Sequence, residues 1–165
     1  MRVRAIAPAD GDNYRSILER TTDEDRYCRF FHAVDHFAPE FIERYVERRP
    51  DMIGFIAEEN GVPLGAAHGV RIDERTAELA IVVARDVRRR GVAKALMARL
   101  FDELANLGYT SAVGYSLRAN VPFVHLAKSI GMRAGPADDG LVVTWRQSLT
   151  ATTTSASSAV PNSAG

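Results

Sequence analysis

The sequence predicts an α/β fold in which strands and helices alternate along residues 1–148. Short apolar or alternating runs are typical of strands, whereas apolar residues at helical spacing are typical of helices. In chain order these patterns predict a strand, helices, three strands, a helix, a strand, a helix and a last strand. With 165 residues, of which 46% are hydrophobic and 25% charged, the chain has the size and composition of one globular domain.

The first half of the sequence is predicted to hold most of the helices and a β-hairpin. The expected elements are a strand at 3–6, helices over about 9–20, from Thr22, and from 37–40 to Pro50, and strands at 54–58 and 64–72. The two strands are joined by Glu59, Asn60 and Gly61, and this Asn-Gly pair is typical of a tight hairpin turn.

The second half begins with a polar turn at 71–76 and an apolar run at 79–83, which predicts a buried central strand. A helix is then predicted from apolar residues at helical spacing, namely Val92, Leu96, Leu100, Leu104 and Leu107, with Gly108 as its end. The remaining expected elements are a strand at 110–116, a helix from the N-cap Asn120 to Gly131, and a strand at 141–145. Residues 149–165 are mostly Thr, Ser and Ala, which predicts a disordered tail.

Composition narrows the class of protein. The 21 basic and 21 acidic side chains cancel, and this argues against general nucleic-acid binding, which usually shows a basic excess. Neither a membrane-spanning apolar run nor a signal-peptide core is visible, so we expect a cytoplasmic protein. Cys28 is the single cysteine and is interpreted as a small buried hydrophobic residue. The four histidines lack ligand spacing, so we expect no metal.

An arginine cluster precedes the long helix of the second half. Arg88, Arg89 and Arg90 stand at its N-terminal end, where the helix already carries a partial positive charge. Basic side chains are suited to this position when an anion binds there, because free backbone N–H groups and guanidinium groups both bind phosphate. Gly91 and Ala93 are small enough for close approach of the backbone. The turn is therefore predicted to bind pyrophosphate, and the alternative is a basic turn before an ordinary surface helix.

Two motifs resemble the GNAT superfamily of N-acyltransferases. Arg88, Gly91 and Ala93 match its acyl-CoA loop, in which Arg or Gln is followed by two residues, Gly, one residue, and Gly or Ala. The helix opened by Asn120 is similar to the next helix of the family, and its matching positions are Asn120, Leu126, Gly131 and Met132. The resemblance covers about residues 1–148, which would form the N-acetyltransferase domain.

The resemblance implies a fold and a cosubstrate. The fold is a mixed, mostly antiparallel central sheet with helices on both faces, whose two central strands splay apart at the acyl-CoA site. Acetyl-CoA would bind there, with its pantetheine along the backbone of the apolar strand. The implied cofactor-binding residues are Ile81, Val82, Val83, Arg88, Arg89, Arg90, Gly91, Val92, Ala93, Lys94 and Asn120.

Amine acylation requires an uncharged amine, and because a lysine titrates near pH 10.4, a base or a desolvated site must remove its proton. Glu78 is the candidate base, because it begins the apolar strand and its position resembles that of the base in protein-acetylating GNAT enzymes. The alternative is a solvated glutamate at a strand end, with Glu58 and Glu59 as fallback bases. The developing oxyanion would meet a backbone N–H near Val83.

One residue departs from the family pattern. Many members carry a tyrosine on the helix after Asn120 that protonates the departing thiolate, and Ala127 stands at this position. Tyr109 and Tyr115 are nearby but match no motif position. A thiol that titrates near pH 8.5 is a fair leaving group, so we expect that the thiolate can leave unassisted.

The segment Tyr27-Cys28-Arg29-Phe30-Phe31 resembles the Tyr-x-Arg-Phe-Phe segment of bacterial protein-lysine acetyltransferase GNAT domains. The alternative is that both phenylalanines simply pack an amphipathic helix. The sequence thus predicts an acetyl-CoA-dependent N-acetyltransferase that acts on a primary amine, a protein lysine first, by direct attack on the thioester. A small-molecule amine acetyltransferase and a non-catalytic CoA-binding module are the alternatives, and the oligomeric state stays open between monomer and homodimer.

Overall fold

A seven-stranded mixed sheet flanked by helices forms the described part of the protein. The structure is a computed structural model that describes residues 1–34, 36–135 and 140–150. Its strands are β1 (Arg2–Ala5), β2 (Met52–Glu59), β3 (Val62–Arg71), β4 (Thr76–Val83), β5 (Ser111–Leu117), β6 (Arg133–Ala134) and β7 (Val142–Ser148). Its helices are α1 (Gly11–Glu19), α2 (Asp23–Phe30), α3 (Pro39–Val46), α4 (Val92–Asn106) and α5 (Val121–Ser129). Single 3₁₀ turns at Pro8–Asp10 and Arg85–Val87 precede α1 and α4.

The strands lie in the order β1-β2-β3-β4-β5-β7-β6. All neighbouring pairs are antiparallel except β4 and β5, which are parallel because α4 carries the chain back across the sheet. The parallel pairing runs only from Thr76 opposite Ser111 to Leu79 opposite Gly114. Beyond this point β4 stays paired with β3 and β5 stays paired with β7. The sheet is therefore split at its centre, and the mixed, mostly antiparallel fold is confirmed.

Two hydrophobic cores hold the helices against the sheet. On one face, α4 and α5 cover a core that includes Leu79, Leu96, Leu100, Ala127 and Trp145. On the other face, α1 and α3 pack over β2, β3 and β4 through Tyr14, Ile17, Ile42, Ile56 and Val82. Because side chains alternate along a strand, β4 contributes Leu79 to the first core and Val82 to the second.

The predicted order of elements is confirmed, with differences at the ends. The first helix starts at Gly11 rather than residue 9, since the 3₁₀ turn precedes it, and β2 starts at Met52 rather than residue 54. The two-residue strand β6 was not predicted, because a pair of residues shows no alternation. Leu149 follows the last strand, is buried in the first core and donates its N–H to the carbonyl of Thr110. The rest of the predicted tail, from residue 151, lies outside the described residues.

Candidate active site

A cavity of about 1060 Å³ opens where β4 and β5 separate. Residues from α2, β4, the turn before α4, β5 and α5 line it. On the β4 side, the cavity is bordered by Ile81, Val82 and Val83. One backbone edge of these residues pairs with β3. Their other backbone edge lies past the last pair with β5. Such an edge can pair with an extended chain that carries amide groups.

The turn before α4 presents an anion-binding geometry to this cavity. Gly91 caps the helix with a left-handed backbone, φ 82°, and Arg89 is also left-handed at φ 64°. No side chain caps α4, and the first backbone N–H groups of a helix have no acceptor within it. Val92, Ala93 and Lys94 supply these N–H groups and border the cavity. The uncapped helix terminus is therefore open to a phosphate group.

Two of the three arginines in the cluster border the cavity, and the third does not. Arg88 and Arg89 border the cavity, and the guanidinium of Arg88 lies 2.7 Å from the Asp25 carboxylate on α2. Burial opposes ionisation of Asp25, but hydrogen bonds from Arg88 and Thr22 outweigh it and lower the pKa of this carboxyl. Arg90 differs from its neighbours, because its guanidinium bonds to Glu59 and does not border the cavity.

The three glutamates considered as bases lie in different surroundings. Glu78 is exposed, borders the cavity and lies in the paired part of β4, opposite Val113 of β5. Glu58 instead pairs with Arg4 at 3.0 Å, and Glu59 pairs with Arg90 and with the N-terminal amine. Of these three carboxylates, only that of Glu78 reaches the cavity.

The helix after β5 carries one predicted residue at the cavity and one away from it. Asn120 caps α5, where its side-chain oxygen accepts a hydrogen bond of 3.2 Å from the N–H of Phe123, and it borders the cavity. Ala127 is completely buried in the core under α5. Of the two tyrosines nearby, Tyr109 packs against this core, whereas Tyr115 borders the cavity and is 41% exposed.

An aromatic cluster under α2 was not predicted from the sequence. The guanidinium carbon of Arg29 lies 4.8 Å from the ring centre of Phe30 and 5.5 Å from that of Tyr45, and all three residues border the cavity. His68 is buried beside them and its Nε2 lies 2.8 Å from the carbonyl oxygen of Tyr45. Burial, reinforced by the charge of Arg29, lowers the pKa of His68 to about 4. The histidine is therefore neutral near pH 7 and donates from Nε2.

Cys28 also differs from expectation. It is half-buried and borders the cavity rather than lying within a core, and burial raises the pKa of its thiol. Asp25, Cys28 and Arg29 border the cavity from α2, and their helical spacing is visible in the sequence. The surface that this side of α2 faces is not visible in the sequence.

Within residues 1–34, 36–135 and 140–150, no three His, Cys, Asp or Glu side chains are grouped so as to hold a metal ion. No helix in the same part of the chain is both long and apolar enough to cross a membrane.

Comparison with known proteins identifies the family. The model of the acetyltransferase (GNAT) family matches residues 14–132, which include β4, the arginine turn and α5. The chain belongs to the GNAT acetyltransferase family. It is therefore an acetyl-CoA-dependent N-acetyltransferase, and the features of the cavity fit this cosubstrate. The uncapped N-terminus of α4 suits its diphosphate, and the free edge of β4 suits its amide-containing arm.

Solved structures share the GNAT fold over nearly the whole chain. The GNAT domain of S. lividans PAT superimposes with a TM-score of 0.85 at 24% identity, over 90% of both chains. The Salmonella typhimurium protein yncA, solved with acetyl-CoA, gives 0.73 at 19% identity, over 99% of this chain and 98% of that one. The Escherichia coli ribosomal-protein-S18-alanine N-acetyltransferase gives 0.66 at 16% identity, over 93% and 97%. At these identities the likeness shows the fold.

Proposed function

We propose that this GNAT enzyme transfers the acetyl group of acetyl-CoA to a lysine side chain of another protein, with Glu78 as the general base. The observation that carries the proposal is the position of Glu78, which lies in the cavity at the point where β4 and β5 separate. An acetyl donor held along the free edge of β4 would end beside this carboxylate. General-base catalysis requires the Glu78 carboxylate to lie close to the incoming amine, and this position provides that proximity.

The binding half of the proposal rests on the turn before α4. Arg88, Arg89 and Lys94, together with the N–H groups of Val92 and Ala93, supply positive charge and donors around one end of the cavity. Arg90 can join them only if its guanidinium leaves Glu59. The N–H groups and cations hold the diphosphate, and Asn120 borders the same cavity from α5.

The proposed reaction has two steps, proton removal from the amine and direct attack on the thioester. The Glu78 carboxylate accepts a proton from the lysine ammonium, so that the neutral nitrogen attacks the thioester carbonyl carbon directly. A backbone N–H on β4 near Val83 stabilises the negative charge that develops on the carbonyl oxygen. The cofactor supplies the activated acetyl group, and these residues supply orientation and proton transfer.

A protein acceptor is favoured over a small amine by two features. A small cationic amine would be held best by several converging carboxylates, but Glu58 and Glu59 pair with other groups outside the cavity. In addition, Phe31 borders the cavity with 42% of its surface exposed, and Tyr27 nearby on α2 is 48% exposed. Exposed aromatic residues beside a site are common in surfaces that bind other proteins.

The test is a comparison of acceptors. The enzyme is incubated with labelled acetyl-CoA and a host-cell lysate, and mass spectrometry identifies the acetylated lysines. The best protein acceptor and a panel of polyamines, amino acids and other free amines are then compared by kcat/KM. We expect the protein to be preferred. A small amine preferred by more than about a hundred-fold, some 2.7 kcal/mol of transition-state discrimination, would exclude the protein acceptor.

A further inference from the structure

We propose that Tyr115 is the proton donor to the departing sulfur in this enzyme. It would replace the tyrosine that many family members carry on the following helix, where this chain has Ala127. The proposal rests on the proposed function, since it concerns the same acetyl transfer. Tyr115 lies on β5, borders the cavity and is 41% exposed, so the residue is accessible from the cavity.

The register of the sheet places Tyr115 on the same face as Glu78. Glu78 is paired with Val113, and paired residues of parallel strands project to the same side of a sheet. Tyr115 stands two residues beyond Val113 and therefore projects to that side as well. It is also the first residue of β5 after Gly114, the last residue of β5 that pairs with β4. Glu78 and Tyr115 thus stand on the same face, one just before the separation of the strands and one just after it.

The other protic groups near the cavity are less well placed. Tyr109 packs against the core, and Ala127 is completely buried there, and neither residue borders the cavity. His125 and Ser129 border the cavity from α5, which packs on the sheet face opposite to that of Glu78. Cys28 and Tyr45 border the cavity from α2 and α3, whereas Tyr115 projects from the sheet itself, on the face of the base and at the point where the strands separate.

The proton transfers balance with Tyr115 in this role. The amine nitrogen forms a bond to the carbonyl carbon, the carbon–sulfur bond breaks, and its electron pair goes to sulfur. Glu78 takes a first proton from the ammonium and releases it to solvent before attack, and takes the second proton from nitrogen after the bond to carbon forms. The Tyr115 hydroxyl gives its proton to sulfur, and the phenolate regains a proton from Glu78 through water.

A leaving-group comparison tests the role. Tyr115→Phe removes only the hydroxyl, and we expect kcat with acetyl-CoA to fall by about 100-fold, while KM for the acceptor changes little. With the acetyl thioester of 4-nitrothiophenol, whose thiolate leaves without protonation, kcat/KM should fall by less than about fivefold. Tyr109→Phe makes the same change in the core and should leave both rates intact.

A binding measurement tests the contact independently of turnover. At about pH 9 part of the CoA is in the thiolate form, which accepts a charge-assisted hydrogen bond from a phenol. Calorimetry should then show that the wild-type protein binds CoA about tenfold more tightly than desulfo-CoA, and that Tyr115→Phe loses this difference. Because no acceptor is present, this result holds even if the proposed acceptor or base is wrong.

Several results would contradict the role of Tyr115 as the proton donor. Equal loss of rate with both thioesters, or a kcat with acetyl-CoA within about threefold of wild type, would overturn the assignment. The same CoA preference in wild type and Tyr115→Phe would also overturn it. A large effect of His125→Gln on kcat, with none of Tyr115→Phe, would assign the proton to α5 instead.

Discussion

Glu78 and Tyr115 lie on the same face of the central sheet, on either side of the point where β4 and β5 cease to pair. This relationship follows from regular alternation along two strands and from a pairing that ends at Leu79 and Gly114. The separation opens the cavity, and both residues border it. The site is thus produced by the interruption of a sheet rather than by a loop added to it.

We predict that the turn before α4 binds the diphosphate of the cosubstrate. Arg88→Ala removes a charge-assisted contact worth about 1.5 to 3 kcal/mol, so calorimetry should show a loss of CoA affinity of tenfold or more. Arg90→Ala should also weaken binding, but by less, because Arg90 must first leave Glu59. Arg85→Ala is the matched control, since Arg85 is exposed and does not border the cavity. Unchanged affinity in both Arg88→Ala and Arg90→Ala would remove the diphosphate site from this turn.

We predict that the stability of the protein falls as His68 is forced to ionise. The pKa of His68 is lowered to about 4 in the folded protein, from a value of 6.5 for a free side chain. Below pH 6.5 the unfolded chain therefore binds a proton that the folded protein does not. The free energy of unfolding should fall between pH 6.5 and 4, by as much as about 3 kcal/mol over the whole range.

Denaturant unfolding at several pH values checks this prediction. In His68→Gln the amide can still donate to the carbonyl of Tyr45, but it does not titrate, so the decline between pH 6.5 and 4 should become shallower. Identical slopes in wild type and His68→Gln would show that His68 is not the group responsible.

We predict that Gly65 is required for the close approach of β3 to β4. A Cβ atom at Gly65 would lie 2.8 Å from the carbonyl oxygen of Val82, and a backbone atom cannot move aside as a side chain can. Gly65→Ala should therefore destabilise the fold by about 1 to 3 kcal/mol, measured as the free energy of unfolding. Gly114→Ala is the comparison, because the nearest atom to its Cβ, in Phe123, is an ordinary 3.5 Å away. Equal costs for the two variants would contradict the steric explanation.

The order of elements and the backbone geometry of the turn before α4 could be predicted from the sequence because both depend on local patterns. Gly91 and Arg88 are neighbours in the chain, and the left-handed backbone at Gly91 is a local property. The partner of Arg90 could not be predicted, because Glu59 lies 31 residues away at the end of β2 and comes close to Arg90 only in the folded protein. The exposure of Tyr115 depends likewise on where the pairing of β4 and β5 ends.

The position of His68 shows a second limit. Its place in β3 follows from the strand pattern, but its neutrality depends on burial beneath α1 and α3, beside Tyr14 and Tyr45. Helix packing of this kind is set by contacts between residues far apart in the sequence. The β-strand pattern alone therefore gives the face of His68 but not its charge.

The most direct test of the account is the effect of Glu78→Gln on turnover at saturating acetyl-CoA and acceptor, with CoA affinity measured on the same preparation. Glutamine keeps the shape of the side chain but cannot take the proton of the amine. We predict that kcat falls by about 10² to 10⁴ while CoA affinity is unchanged. Glu74→Gln makes the same change on the exposed turn before β4 and should keep wild-type turnover. A kcat for Glu78→Gln within a few-fold of wild type would contradict the account and move proton removal to another group.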